Sequence, residues 1–429
     1  MSKLMRNVDV NSKIKYLIFL FFTLDVFLMG SGTLYTIFGV TTRKLLFAIF
    51  CIFSVITYFW SFQTKPILQR RSIAGFVLFV TLWVAIIPLY ITGNISYSLA
   101  DALPLIGSGV YLLTVDFSRH EGSWINIRKV IFFSLIAFTV LHIILYGLSI
   151  VKPHLAEVAG EFLRLLWEPD NAPVELFVFL TPLNNGLLRV YFGSSFFLLM
   201  GLYFAAQKYQ SPIEGCVLCR AIVYFLVILA LWATNTRSLL LGAVVFVFIL
   251  PIVSRVFEKI PRNFGGVLLL LVAPFLLSFI LIPTFDPQFL SNFGIAREGS
   301  DDLRAEQFEP LLGAFLDSPL IGQGFGASVS VIRAEDAPYS YELSILALFM
   351  KIGVLGFLFA VTILAGLIYS SIPKDIKFFP KNIAPLYALY FSYIFSCFFN
   401  PYMFGFFGTF FSLFLLYEAG FLGGFSKHD

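Results

Sequence analysis

The stretch CVLCRAIVYFLVILALWATNTRSLLLGAVVFVFILPIVS, residues 216–254, decides the fold. It holds two apolar runs, 216–233 and 238–254, parted only by Thr234, Asn235, Thr236 and Arg237. Each run approaches the roughly 20 residues that a helix needs to cross a hydrocarbon core about 30 Å thick. No water is present there to satisfy backbone N–H and C=O groups, so such runs must close their hydrogen bonds internally, as helices. The stretch reads as two spanning helices joined by a short polar turn.

Working outward, similar runs occur at 16–36, 45–60, 73–91, 98–116, 130–150, 188–206, 264–282, 342–370, 383–399 and 403–421. The expected fold is an all-α polytopic membrane protein with about 12 transmembrane helices, residues 1–429 forming a single membrane domain. Composition agrees: 59% of the 429 residues are hydrophobic and 13% charged, with a mean hydropathy of +0.89. Soluble domains carry about 25% charged residues. Disulfide scaffolds, coiled coils and solenoids are poor fits, which leaves a channel, a carrier or a membrane-embedded enzyme.

The basic residues orient the chain. With Lys3, Arg6, Lys13 and Lys15 in the cytoplasm, alternate loops place 19 of the 29 lysines and arginines on that side and nine on the other. This satisfies the positive-inside rule and puts both termini in the cytoplasm. The segment before the first run lacks a small-residue cleavage site and reads as a retained signal anchor. The net charge of +4 is spread through short gaps, so no nucleic-acid partner is expected. Cys216 and Cys219 form a C-x-x-C without a second Cys or His pair, and they read as small helix residues rather than a zinc site. The histidines His120, His142, His154 and His428 are scattered, so neither a metal nor a cofactor is expected.

Two loops are long, and both fall on the outer side: 151–187 and 283–341. In the first, Leu155, Val158, Phe162, Leu165 and Leu166 share one helical face opposite Glu157, Glu161 and Arg164, the pattern of a helix lying in the membrane interface. In the second, Asp301 caps an expected helix running to about Leu316, with Phe308, Leu312 and Phe315 on one side. Long outer loops with their own helices point to work done outside the cytoplasm.

Arg237 stands at the mouth of the helix pair. Either it snorkels to the interface, or its planar, permanently charged fork recognises a phosphate group. Asn235, Thr236 and Ser238 add donors there, and the following helix adds its N-terminal partial charge. Arg189 sits where the first long loop re-enters the membrane and is either an interfacial anchor or a second such cation. Arg304 lies in the second loop, three residues from Asp301, with which a surface pair is the bland alternative. In APYSYELSILALFMKIGVLG, residues 337–356, Pro338 and Ser340 are expected to open a helix with Glu342 in its first turn. A carboxylate is favoured there by the helix dipole alone; the functional alternative is a general base for a sugar hydroxyl. Lys351 and Asp25 are ionisable residues within spans, where only protein or water contact sustains them. Gly322, Gly324 and Gly326 form a GxGxG read as a tight turn, not a nucleotide fingerprint.

The TNTRS turn at 234–238, the long outer loop with Arg304 and SPLIGQGFG, and a polar pair opening a span that continues as KIGVLG together resemble the O-antigen ligase and Wzy-type polymerase superfamily, over residues 186–356. The resemblance implies a GT-C-like, metal-independent glycosyltransferase of the bacterial inner membrane with its active site facing the periplasm. Its partners would be undecaprenyl-diphosphate-linked glycans as donor and acceptor, the bilayer, and conceivably a chain-length regulator. Arg237, with Arg304 or Arg189, would hold the donor diphosphate, with Asn235, Thr236, Ser238, Tyr339 and Tyr341 contributing to substrate binding. Trp167, Phe308, Phe325 and Tyr339 would offer stacking faces to the glycan. Family ligases open the span after the long loop with a histidine; Tyr341 and Glu342 stand there instead. This favours a polymerase, with a ligase or a lipid-linked oligosaccharide flippase as the alternatives.

Overall fold

The computed structural model describes residues 36–37, 40–41, 45, 48–49, 52, 56, 67–91, 93, 95–114, 121–167, 178–182, 188–207, 213, 215–261, 263–281, 300–333, 335, 337–371, 383–400, 403, 408, 410–412, 414–416 and 418–419. Asp25 and the 16–36 span, apart from Thr36, lie outside them, as does most of 45–60. In chain order come a short hairpin of β1 (Thr36–Ile37) and β2 (Val40–Thr41), then α1 (Ile67–Val80), a π-helical segment (Thr81–Ile86), α2 (Ile87–Ile91), α3 (Ile95–Thr114), α4 (Glu121–Val151) and α5 (Pro153–Trp167). A second antiparallel hairpin, β3 (Val178–Pro182) and β4 (Leu188–Phe192), precedes a 3-10 turn (Gly193–Phe197), α6 (Leu198–Ala206), α7 (Val217–Ala233), α8 (Arg237–Val256), α9 (Phe264–Leu281), α10 (Ser300–Asp317), α11 (Ser344–Ser371) and α12 (Ala384–Cys397).

The protein is predominantly helical, and four helical stretches, Arg70–Ile91, Ile127–Val151, Arg237–Val256 and Ser344–Tyr369, are long and apolar enough to cross a membrane. Shorter apolar helices occupy Gly193–Ala206, Val217–Ala233 and Phe264–Leu277.

The all-α expectation needs correction at residues 188–206. That run opens as strand β4, not as a spanning helix, and its five residues pair in register with β3 from Val178↔Phe192 to Pro182↔Leu188. The cause is local: LRVYF alternates, burying Val190 and Phe192 while leaving Arg189 and Tyr191 partly exposed, a period of two that a helix cannot satisfy. Glycine follows, and only α6 remains helical.

The chain divides into two compact units. The first contains β1 to β2, α4 to α7 and the greater part of α8. Its core surrounds α6, whose residues from Leu198 to Phe204 are fully buried. Gly201 lets α6 approach closely, since a Cβ there would collide with Val227 of α7 and press on Leu135 of α4. On α5, Ala156 and Gly160 are buried, whereas Leu155, Val158 and Phe162 are 46 to 60% exposed. Part of the apolar face of this helix is therefore left exposed.

The second unit contains α1 to α3, α9, α10 and α11. The loop helix α10 is present with two differences from expectation: it begins at Ser300, so Asp301 lies within its first turn and is not its cap, and Phe308 leaves the shared face. Leu311 is fully buried, Leu312 and Phe315 pack beside it against Tyr341, Leu346 and Met350, and Phe308 is 38% exposed. The long helix α11 is broken at Gly353, whose φ of 61° and ψ of −176° no helix contains. The amides of Val354 and Leu355, which an unbroken helix would bond to Met350 and Lys351, instead donate to the carbonyls of Pro319 and Leu320, each at 2.9 Å. The released carbonyls of Met350 and Lys351 accept from Gln323 and Gly324 at 2.9 and 2.8 Å. Two intrahelical bonds are exchanged for four to the SPLIGQGFG loop, so the backbone stays satisfied at the break.

Trp83 clamps the loop from the other side. Its Nε1 donates to Ile321 at 2.7 Å, and its carbonyl accepts from Phe325 at 3.0 Å. Gly322, Gly324 and Gly326 all have positive φ, as a tight turn requires.

A Cβ at Gly353 would strike the Leu320 carbonyl in a backbone conformation already unfavourable to other residues. Gly353→Ala is therefore expected to lower the melting temperature of the purified chain markedly. Gly313→Ala, in α10 with open space around the site, should be neutral or stabilising by about 0.5–1 kcal/mol. Equal responses in a thermal-unfolding assay would refute the account of the break.

Candidate functional site

In the first unit, the three-residue turn between α7 and α8 (Thr234, Asn235, Thr236) is held by its own threonines. Thr234 Oγ1 donates to Leu231 at 2.7 Å and accepts from the Thr236 amide at 3.2 Å, while Asn235 takes the left-handed φ of 43° that asparagine tolerates. Thr236 Oγ1 donates to the Thr234 carbonyl at 3.1 Å and accepts from Arg189 Nη2 at 3.0 Å. Arg189 Nε also donates to the Thr234 carbonyl, at 3.0 Å, and its guanidinium lies 4.8 Å from the centre of the Tyr191 ring. Arg237 is the first residue of α8 and is partly exposed; Ser238 beside it is buried. The fold thus gathers Arg189, Asn235, Thr236, Arg237 and Ser238 at one helix start, where the dipole favours an anion.

Strand β4 delivers Arg189 to this turn, and a buried pair holds the strand in place. His142 Nδ1 lies 2.9 Å from the Phe138 carbonyl, which can only accept, so Nδ1 carries the proton. Nε2 then accepts from Ser195 Oγ at 2.8 Å, and the same Oγ accepts the Phe192 amide at 2.9 Å. His142, scattered in sequence, ties α4 to the end of β4.

The second unit carries another cluster. Glu342 lies two residues before α11 begins, not in its first turn, so the helix-dipole explanation for its position loses ground. Its Oε2 is 3.3 Å from Arg304 Nη2 and its Oε1 2.9 Å from Arg333 Nε. The Glu342 amide donates to Gln307 Oε1 at 3.1 Å. Side-chain exposures of 21% for Arg304, 35% for Arg333 and 11% for Glu342 leave the cluster reachable from solvent. A guanidinium has five N–H donors, more than one carboxylate oxygen can take up.

Tyr341 is buried and accepts the Val329 amide at 2.7 Å. Burial pushes its hydroxyl up to about 12, aided by the negative charge of Asp101 and opposed by that amide. Tyr339 lies beside Tyr97, with ring centres 6.0 Å apart.

Glu342, Arg304, Tyr339 and Tyr341 therefore belong to the second unit, while the TNTRS residues and Arg189 belong to the first. Arg333, Gln307 and Tyr97 were not foreseen. Gln307 follows Arg304 by three positions on the same helical face, and that spacing is the signal it offered. Phe325, expected to stack on a glycan, is 1% exposed and belongs to the core. The side chain of Trp167 lies outside the described residues. Cys216 and Cys219 are not merely small helix residues: Cys216 caps α7, accepting the Cys219 amide at 3.1 Å, and the two sulfurs are joined as a disulfide. Among the described residues no group of three His, Cys, Asp or Glu is arranged to hold a metal. Comparison with family models, curated proteins and solved structures finds no match.

Tyr341→Phe removes the acceptor of the part-buried Val329 amide and should cost about 0.5–1.5 kcal/mol, seen as a lower melting temperature. Because the folded-state value is raised, the hydroxyl's contribution is complete below pH ~10, the unfolded value, and is lost as pH rises through about 12. The difference between parent and variant should shrink across that window; a gap that widens there would contradict the assignment.

Proposed function

We propose that the protein is a membrane-embedded glycosyltransferase that polymerises undecaprenyl-diphosphate-linked oligosaccharide repeat units on the periplasmic side of the bacterial inner membrane. In this reading the chain has about 12 transmembrane helices in a GT-C-like arrangement with both termini cytoplasmic. The observation that carries it is the placement of the nearly buried Glu342 between the partly exposed Arg304 and Arg333, at the end of the second long loop.

A hydroxyl of the acceptor repeat unit attacks the anomeric carbon of the sugar on the donor. The bond from that carbon to the phosphate oxygen breaks, and undecaprenyl diphosphate leaves. Charge grows on the departing diphosphate, and guanidinium forks held in advance stabilise it most where water is scarce. Glu342 takes the proton of the attacking hydroxyl. Each of its oxygens faces an arginine, so a diphosphate that draws Arg304 or Arg333 onto itself frees an oxygen for that proton. Tyr339 and Tyr97 offer the glycan an aromatic surface.

Tyr341 and Glu342 stand where ligases open the span after the long loop with a histidine, and this favours a polymerase over a ligase. The absence of an internal sequence repeat disfavours a carrier.

In a strain lacking the protein, single repeat units should accumulate on the lipid carrier and the cell surface. Long chains retained on the carrier would indicate a ligase, and normal chains would end both readings. Complementation with Arg333→Lys or Arg237→Lys, which keep charge but lose the planar fork, should reduce polymer at least about tenfold; full-length polymer from both would remove the diphosphate role. Glu342→Gln should lose turnover in the same assay.

A further inference from the structure

The mechanism above makes no use of two deeply buried charges in the second unit. Lys351, at the break in α11, and Asp101, in α3, are 0% and 3% exposed. Lys351 Nζ lies 2.8 Å from Asp101 Oδ1 and 2.7 Å from Oδ2. Neither group stops at its partner. Asp101 Oδ2 accepts the amide of Gly326 at 2.9 Å, and Lys351 Nζ donates to the carbonyl of Tyr339 at 2.9 Å, standing 5.9 Å from the centre of the Tyr339 ring.

One ion pair therefore holds two pieces of irregular backbone that have no regular secondary structure to place them. Gly326 is the last glycine of the loop stitched into α11. A Cβ there would collide with Ser98, so that loop lies directly on the outer end of α3. Tyr339 is three residues from Glu342 and lies in a turn, residues 337–340, closed by the Ser340 N–H donating to the Ala337 carbonyl at 2.9 Å.

We infer that Asp101 and Lys351 are a positioning pair, which fixes through Gly326 and Tyr339 the segment that presents Glu342 to Arg304 and Arg333. The function of the pair rests on the reading of that cluster as the catalytic one; its mechanical part does not. Neither residue touches the reacting groups. A buried pair is a poor source of net stability, because desolvation offsets the attraction, and replacing both members by neutral groups of similar size is often tolerated. What this pair supplies is direction: the carboxylate accepts from a particular amide, and the ammonium donates to a particular carbonyl.

This yields a discriminating set of variants. Asp101→Leu with Lys351→Met removes both charges, and with them the acceptor for the Gly326 amide and the donor to the Tyr339 carbonyl, at similar volume. Asp101→Lys with Lys351→Asp restores an ion pair but reverses its hydrogen-bonding sense, since a lysine cannot accept the Gly326 amide and an aspartate cannot donate to the Tyr339 carbonyl. If the pair serves only to neutralise charge, the exchanged variant should behave as the parent.

The experiment uses the full chain, in cells and purified in detergent. Hydrogen exchange is followed in peptides covering residues 322–329 and 337–345, alongside thermal unfolding and, in cells, glycan chain length. The double neutral variant should stay folded. Its exchange in both peptides should be at least about tenfold faster than in the parent, as expected when charge-assisted bonds that close local openings are lost, and polymer should fall by a similar factor. The exchanged variant should show the same defects.

Parent-like exchange in a folded double neutral variant would overturn the positioning role. So would an exchanged variant that restores both readouts, and so would faster exchange with unaltered polymer. If the deletion strain itself makes normal glycans, the polymerase reading fails, and the exchange data still decide whether the pair holds the segment.

Discussion

A helix that stops being a helix for one residue organises the second unit. At Gly353 the ladder of α11 is interrupted, and the SPLIGQGFG loop takes over the two carbonyls and two amides that the interruption releases. In a low-dielectric environment unpaired backbone groups cost several kcal/mol each, so a break of this kind exists only where another segment closes it. The loop cannot leave without exposing the helix, and the helix cannot straighten without releasing the loop. Everything that lies between them, α10 and the segment carrying Tyr339, Tyr341 and Glu342, inherits its position from this exchange. The glycines follow from it too: Gly322 and Gly353 face each other's strands of backbone so closely that no side chain fits at either.

The same arrangement separates two tasks usually confused in membrane proteins. Lys351 and Asp101 are fully withdrawn from solvent and saturated by each other and by backbone. Arg304, Arg333 and Glu342 are paired but partly exposed, so their partners can be exchanged for those of a ligand. Charges of the first kind hold architecture and charges of the second kind can do chemistry. The first unit repeats the division on a smaller scale. His142 and Ser195 are buried and anchor β4, while Arg189 at the other face of that strand meets the polar turn before α8.

Much of this was legible in sequence because it is written in local periodicity. The pair of runs about TNTR, the helix in each long loop and the tight GxGxG turn all depend on residues within a few positions of one another. Three features escaped that kind of reading. Strand β4 was hidden because an alternating LRVYF looks merely apolar when it is followed directly by a helical run. Asp101 was passed over inside SLADALPLIG, although an acid within an apolar span obeys the rule that singled out Lys351. Nothing in the local sequence singles out Arg333; only the fold shows that it and Arg304, on opposite sides of the loop, close on the same carboxylate. Pairings across many residues leave no periodic trace in a single chain.

Asp101 and its partner are separated by 250 positions. During synthesis the aspartate therefore reaches the membrane long before the lysine exists, and it must pass that interval without its counter-ion. The Gly326 amide arrives late as well. Assembly of this protein has an order imposed by charge: α3 can settle into its final place only after nearly the whole chain has been delivered.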